Sequence, residues 1–272
     1  GDDVVKGGAG NDEVGGGTGD DKVHGGTGDD NLHGGEGDDV LKGGTGDDQL
    51  RGGTGDDVLH GGDGDDVLKG GTGDDKLFGG QGDDVLKGGT GDDELRGGTG
   101  DDVLKGGTGD DKLFGGQGDD VLKGGTGDDT FIYNKGDGDD TIVGGSGKDV
   151  LKLSDVSPSQ FADNWEITDK KGNSIDIIDL IKDGEIDLSS IKGAGTITGP
   201  EGEEISFKSL EIISLAEEPA TPPVGEDGLV HDGKLTVTIG GEAYKGDPAY
   251  AIVVDGKEVA RGEVDWSKET EG

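Results

Sequence analysis

The sequence predicts an all-β chain dominated by a parallel β-solenoid, and three observations carry that prediction. The nonapeptide Gly-Gly-x-Gly-Asp-Asp-x-Leu-x recurs without an insertion over residues 7–132, which is 126 residues or 14 units. Within the array, Val-Leu-Lys returns every 18 residues, at Val67, Val85, Val103 and Val121, while the units between carry other residues there. Position six of every unit is aspartate. Self-similarity at a short fixed period marks a solenoid, and the doubled period means that two units make one coil.

The elements follow in order. Residues 1–6 are the tail of an earlier unit, and two degenerate units, 135–143 and 144–152, follow a two-residue insertion at Tyr133-Asn134. Positions one to six read as a turn and positions seven to nine as a short strand. Glycine at positions one, two and four permits positive φ or an approach too close for a Cβ. Position eight is apolar throughout, from Val14 and Val23 through Leu32 to Leu122 and then Phe131. Alternation along a strand points it inward and positions seven and nine outward. One inward residue per strand cannot form a core alone, so two strands face each other across a thin interior. The 17 half-coils counted in this way would stack at about 4.8 Å into a rod roughly 40 Å long.

The aspartates are the candidate metal ligands: Asp12, Asp21, Asp30, Asp39, Asp48, Asp57, Asp66, Asp75, Asp84, Asp93, Asp102, Asp111, Asp120, Asp129 and Asp140. Stacked coils place them in two files, each residue beside its equivalent 18 positions away. Two carboxylates at about 4 Å repel by roughly 1 kcal/mol even in bulk water, and a second aspartate at position five flanks most of them. A divalent cation between turns reverses the sign. Calcium takes 6–8 oxygens, which carboxylates and bare turn carbonyls supply, whereas magnesium demands compact octahedral geometry. The nonapeptide resembles the hemolysin-type (RTX) calcium-binding repeat of proteins exported by type I secretion. That resemblance implies a right-handed parallel β-roll in which position-six aspartates of turns n and n+2, with turn carbonyls, hold each calcium ion.

Other readings fit less well. The strict apolar position eight argues against a flexible glycine-rich linker, and neighbouring aspartates would repel phosphate. Zinc at His24, His33 and His60 is a poor prospect. All three occupy outward position nine, where solvated side chains are expected; His33 lies on the opposite face from the other two, which are two coils apart.

Across the 272 residues the apolar fraction is 27%, the aromatic fraction 4% and the formal net charge −39. Such a chain normally stays disordered for want of apolar surface. Roughly a dozen calcium ions would bring about +24 of charge and remove the conflict. The acidity excludes nonspecific nucleic-acid or anionic-membrane binding as a main role. No apolar run approaches membrane-spanning length, so no membrane insertion is expected. There is no cysteine, hence no disulfide framework or thiol chemistry. Methionine is also absent and residue 1 falls inside a repeat, so we expect a fragment of a longer protein, with a catalytic domain encoded upstream.

Residues 153–215 change character. The pieces Trp165-Glu-Ile-Thr, Ser174-Ile-Asp-Ile-Ile, Gly195-Thr-Ile-Thr and Glu204-Ile-Ser-Phe read as strands of a β-rich cap over the open end of the roll. Leu151-Lys-Leu-Ser-Asp-Val-Ser and Gly202-Glu-Glu-Ile-Ser-Phe-Lys-Ser-Leu-Glu-Ile-Ile resemble sequences that flank RTX arrays. The break of the motif at Lys135 and Lys148, the latter beside Asp149, predicts that the terminal metal site is the weakest or empty. Residues 216–226 are a proline-rich linker. Residues 227–272 read as a partial β-sandwich, with Asp255-Gly256 as a hairpin turn. Here Gly241-Glu-Ala-Tyr-Lys-Gly-Asp-Pro-Ala-Tyr and the following Val-Asp-Gly-Lys-Glu-Val resemble the N-terminal half of calcium-dependent, xylan-binding-type carbohydrate modules. That resemblance implies a polysaccharide partner, with Tyr244 and Tyr250 as stacking candidates.

No catalytic constellation is present, since the acids Asp176, Asp179, Asp183 and Asp187 have no histidine nearby. The functional expectation is therefore an extracellular, secreted calcium-binding module. It would fold on metal binding and serve export, through the type I secretion machinery, and stabilisation of a polysaccharide-active protein. The alternative is a calcium-stiffened spacer of a surface adhesin or matrix protein with a sugar-binding tip.

Overall fold

A computed structural model describes residues 1–176, 181–188 and 194–217, and the backbone of residues 249–254 and 257–263. The chain divides into two compact units, Gly1–Glu217 and Glu218–Gly272.

In the first unit, strands start every nine residues from β1 (Val4–Ala9) to β14 (Val121–Thr126), each six residues long. β15 (Thr130–Tyr133), β16 (Thr141–Ser146) and β17 (Val150–Leu153) follow. Odd-numbered strands stack in one sheet and even-numbered strands in another, all parallel from β1 to β17. The register is 18 residues, as in Leu86 opposite Leu104 and Leu77 opposite Leu95. It widens to 20 across the Tyr133-Asn134 insertion, where Leu122 meets Ile142 and Phe131 meets Leu151. This is the parallel β-roll that the doubled period predicts.

The strands are longer than expected. Each takes in positions seven to nine and also positions one to three of the next unit, leaving a turn of only Gly-Asp-Asp. The reason lies at the position-two glycine. At Gly71 φ is +135°, yet ladder pairing continues through Gly71–Gly89 and Thr72–Thr90. A residue with a Cβ could not hold that conformation cheaply, so the glycine bends the strand without ending it.

Alternation then places three residues per unit inside. Along Asp66-Val67-Leu68-Lys69-Gly70-Gly71, the aspartate, the leucine and the first glycine are buried, and the other three are half-buried on the outer surface. The leucines from Leu32 to Leu113 have no exposed surface.

Beyond β17 the two sheets continue with foreign strands. β23 (Glu204–Lys208) lies parallel on β16 and β24 (Ile212–Leu215) parallel on β17, forming one more coil without the motif. β22 (Ala194–Thr198), β18 (Glu166–Asp169) and the two-residue β19 (Ser174–Ile175) then extend the even sheet antiparallel. The short β21 (Glu185–Asp187) and β20 (Ile181–Lys182) do the same for the odd sheet. Short antiparallel edge strands end the parallel stack and leave little edge to template further pairing. Within this β-rich region lies one short helix not anticipated from the sequence, α1 (Pro158–Asn164). Its capping box pairs the Ser157 amide with the Gln160 side chain, and the Gln160 amide with the Ser157 hydroxyl. Phe161 on this helix stacks on Trp165 with centroids 5.8 Å apart, and Tyr133 meets Trp165 edge-on.

In the second unit, β25 (Ala249–Val254) and β26 (Lys257–Glu263) pair antiparallel, with a register shift between Ile252 and Val253. The expected strand at residues 234–240, the linker from residue 218 onward, and Tyr244 lie outside the described residues.

Candidate metal centre

The position-six aspartates form the two predicted files. From Asp21 to Asp129 each is at most 2% exposed, whereas Asp12, near the N-terminal end, is half-buried. One carboxylate oxygen has a fixed role. Oδ1 of Asp84 accepts the amide of Asp66 at 2.8 Å, and Oδ1 of Asp102 accepts that of Asp84 at 2.7 Å, so each carboxylate reaches back one coil. The other file repeats this through Asp57, Asp75 and Asp93.

The second oxygen has none. Oδ2 of every position-six aspartate from Asp12 to Asp129, and of Asp149, is buried without a hydrogen-bond partner. Asp140 is 4% exposed and its Oδ1 accepts the Asp120 amide at 3.0 Å. Leaving one buried polar atom unsatisfied costs about 1–3 kcal/mol. Fifteen of them outweigh the roughly 5–15 kcal/mol by which a whole domain is stable. The arrangement therefore demands a further partner at each Oδ2.

The surroundings of Oδ2 state what that partner is. A Cβ built on the position-one glycine would strike it: at Gly97 the collision is with Asp102 Oδ2 and the Gly115 carbonyl oxygen one coil ahead. Glycine is required here because the carboxylate and a main-chain carbonyl share the space. Among the described residues no three His, Cys, Asp or Glu side chains converge in a metal-holding group. The donor set is instead carboxylate plus carbonyl, all hard oxygen, which suits calcium.

The carboxylates also resist ionising without a cation. Burial pushes Asp48, Asp84, Asp93, Asp120, Asp129 and Asp149 up to about 6. It pushes Asp57, Asp66, Asp75, Asp111 and Asp140 to about 7 and Asp102 to about 8. Neighbouring carboxylates add to the rise, while the amide donated to each Oδ1 opposes it.

Position five behaves differently. These side chains are exposed, and their Oδ1 atoms face the other way along the stack: Asp83 accepts the amide of Asp101, and Asp65 that of Asp83, each at 2.9 Å. Asn11 makes the same bond to Asp29, so an amide oxygen suffices at that position. The histidines do not converge. His24 and His60 lie on odd strands and His33 on an even one. His60, expected to be merely solvated, is half-buried and stacks on Phe78 at 4.7 Å.

Sequence reasoning missed Glu211, whose carboxylate accepts the amide of Asp149 at 2.8 Å. It lies outside the nonapeptide period, and no spacing argument leads to it.

A parallel roll with two files of inward carboxylates, each facing a glycine-cleared carbonyl, defines a calcium-binding solenoid. The model of the RTX calcium-binding nonapeptide repeat (4 copies) matches residues 1–23, 24–59, 60–95, 96–131 and 136–153, and the chain belongs to that family. No match was found among curated proteins. The family match ends at residue 153, so nothing in it supports the carbohydrate-module resemblance of residues 227–272. Among the described residues no helix is long and apolar enough to cross a membrane.

Proposed function

We propose that this chain is the calcium-driven folding module of a secreted protein, with the position-six aspartates from Asp12 to Asp140 as ligands of roughly a dozen ions. The observation that carries the reading is the row of buried Oδ2 atoms without partners. Calcium, when bound, supplies the positive charge these carboxylates need to remain ionised inside. The chain's own residues do the rest. Position-six carboxylates orient themselves through Oδ1 and the amide of the preceding coil, position-one glycines clear the space, and inward leucines seal each coil from water.

At low calcium the acidic repeats stay extended and suited to export. At millimolar calcium outside the cell they fold by mass action and stabilise what they are joined to. Residues 1–152 form the calcium-binding roll in this reading and residues 153–215 its cap. Small-angle scattering on the whole chain tests it. The radius of gyration should fall from roughly 60 Å in chelator to below about 35 Å in 2 mM calcium. Equal radii in both conditions would refute the reading.

A further inference from the structure

At the end of the roll the repeat runs out, but the bonding pattern around its last carboxylate does not. Asp149 is fully buried; its Oδ1 accepts the amide of Asp129 at 3.0 Å and its Oδ2 has no partner. In regular units the amide of each such aspartate is taken by the aspartate one coil ahead, as Asp111 donates to Asp129 at 3.0 Å. No aspartate of the file follows Asp149. Its amide donates instead to Glu211 Oε2 at 2.8 Å, from a residue 62 positions away.

The cradle is rebuilt as well. A Cβ on Gly144 would collide with Asp149 Oδ2 and the carbonyl oxygen of Ser209, which stands where the next position-one glycine carbonyl stands elsewhere. Ser209 occupies that place with φ +54°, in the tight turn between β23 and β24. Both the Glu211 and Ile212 amides donate to the Asp149 carbonyl, at 3.1 and 3.2 Å, and Leu151 pairs with Ile213, so the backbone at Glu211 is fixed. From carbonyl to acid the cap has two residues where the repeat has five. A glutamate, one methylene longer than aspartate, spans from that shorter turn. The even file ends differently: among the described residues no side-chain carboxylate accepts the amide of Asp140.

We propose that Asp149, Glu211 and the Ser209 carbonyl form a further calcium site that closes the odd file, so that the cap supplies metal ligands as well as apolar cover. The inference rests on the calcium reading of the repeats. It reverses the expectation of a weak or empty last site, because Glu211 stands in for the position-six aspartate that regular units have one coil ahead. It also links ion binding at the end of the roll to docking of the cap.

Native mass spectrometry of the whole chain, counting ions at saturating calcium, tests the site. Glu211→Gln keeps an oxygen for the Asp149 amide but removes the charge. It should hold one ion fewer than the unaltered chain and raise the calcium midpoint of β circular dichroism by roughly twofold. Glu211→Asp should regain the ion at a higher calcium concentration. Glu166→Gln, on the exposed side of β18, should match the unaltered chain. An unchanged ion count in Glu211→Gln would overturn the site while leaving the repeat sites standing. Loss of β signal in Glu211→Gln and Glu211→Asp alike at saturating calcium would make Glu211 a packing residue and overturn it too. An unaltered chain that holds no calcium would overturn both the site and the reading beneath it.

Discussion

A strand of the roll such as β14 buries one leucine, Leu122, and one glycine, with the buried Asp120 just before it. The cap, within the 13 residues from Leu153 to Trp165, buries Leu153, Val156, Phe161 and Trp165. The orphan oxygens divide the other way: the roll carries one at nearly every turn, while from residue 153 on the described residues carry one, Glu203 Oε1. The two regions share two continuous sheets but are stabilised by different means. The roll buries little apolar surface, and in the proposed reading its cohesion comes from metal sites. The cap folds around aromatic packing and gives the last coil a partner on its open side. What differs is how each answers the neighbour problem of a solenoid, in which every unit depends on the next and the end unit lacks one.

Removing the cap should have the largest effect. A chain lacking residues 153–272 loses the strands that pair with β16 and β17, and with them the cover over Ile142 and Leu151. Its calcium midpoint, followed by circular dichroism, should rise several-fold and its transition should broaden, although every regular repeat remains. A chain lacking only residues 227–272 should keep the midpoint of the full chain. Isolated repeats that titrate like the full chain would make the cap a passenger.

Within the roll, the two aspartates of one turn should separate sharply. Asp84→Ala removes a buried carboxylate, the proposed ligand, and with it the oxygen that takes the Asp66 amide. It should lower calcium affinity and cooperativity in an isothermal titration and cost roughly 1–3 kcal/mol. Asp83→Asn keeps an acceptor for the Asp101 amide, as Asn11 does for Asp29, and should shift the midpoint hardly at all. Equal damage from the two would mean the wrong file has been assigned to metal.

A smaller effect follows from acidity. Burial raises the position-six aspartates from Asp48 to Asp149 from 3.8 to about 6–8, so between pH 4 and 7, roughly, the folded state binds more protons than the unfolded one. That contribution is fully present below the unfolded value and is lost as pH rises through the folded values. Without metal, β structure should therefore grow as pH falls from 7.5 to 5, and calcium binding at pH 7 should release protons. A metal-free chain whose circular dichroism does not respond across this window would contradict the burial of these carboxylates. The cap's interior, lacking such files, should contribute little to the change.

The repeat was legible because its physics is local and iterated. Leu86 at position eight, Asp84 at position six and the 18-residue return of Val-Leu-Lys fix facing, charge and coil length together. The strand ends were misjudged because Gly88 and Gly89 carry turn chemistry, while tertiary pairing with Gly107 holds them in the ladder. Helix α1 was missed although Ser157-Pro-Ser-Gln160 spells a capping box; seven residues are too few for a period to speak. Glu211 could not be found from spacing, because its role depends on a chain reversal that brings β24 onto β17.

Whether calcium holds the roll together is read most directly by circular dichroism of the intact chain. In excess chelator at pH 7.5 the β signal should be largely absent. It should appear cooperatively at roughly 0.1–1 mM calcium and fail to appear at the same concentrations of magnesium. A full β spectrum in chelator, or equal rescue by magnesium, would contradict the account.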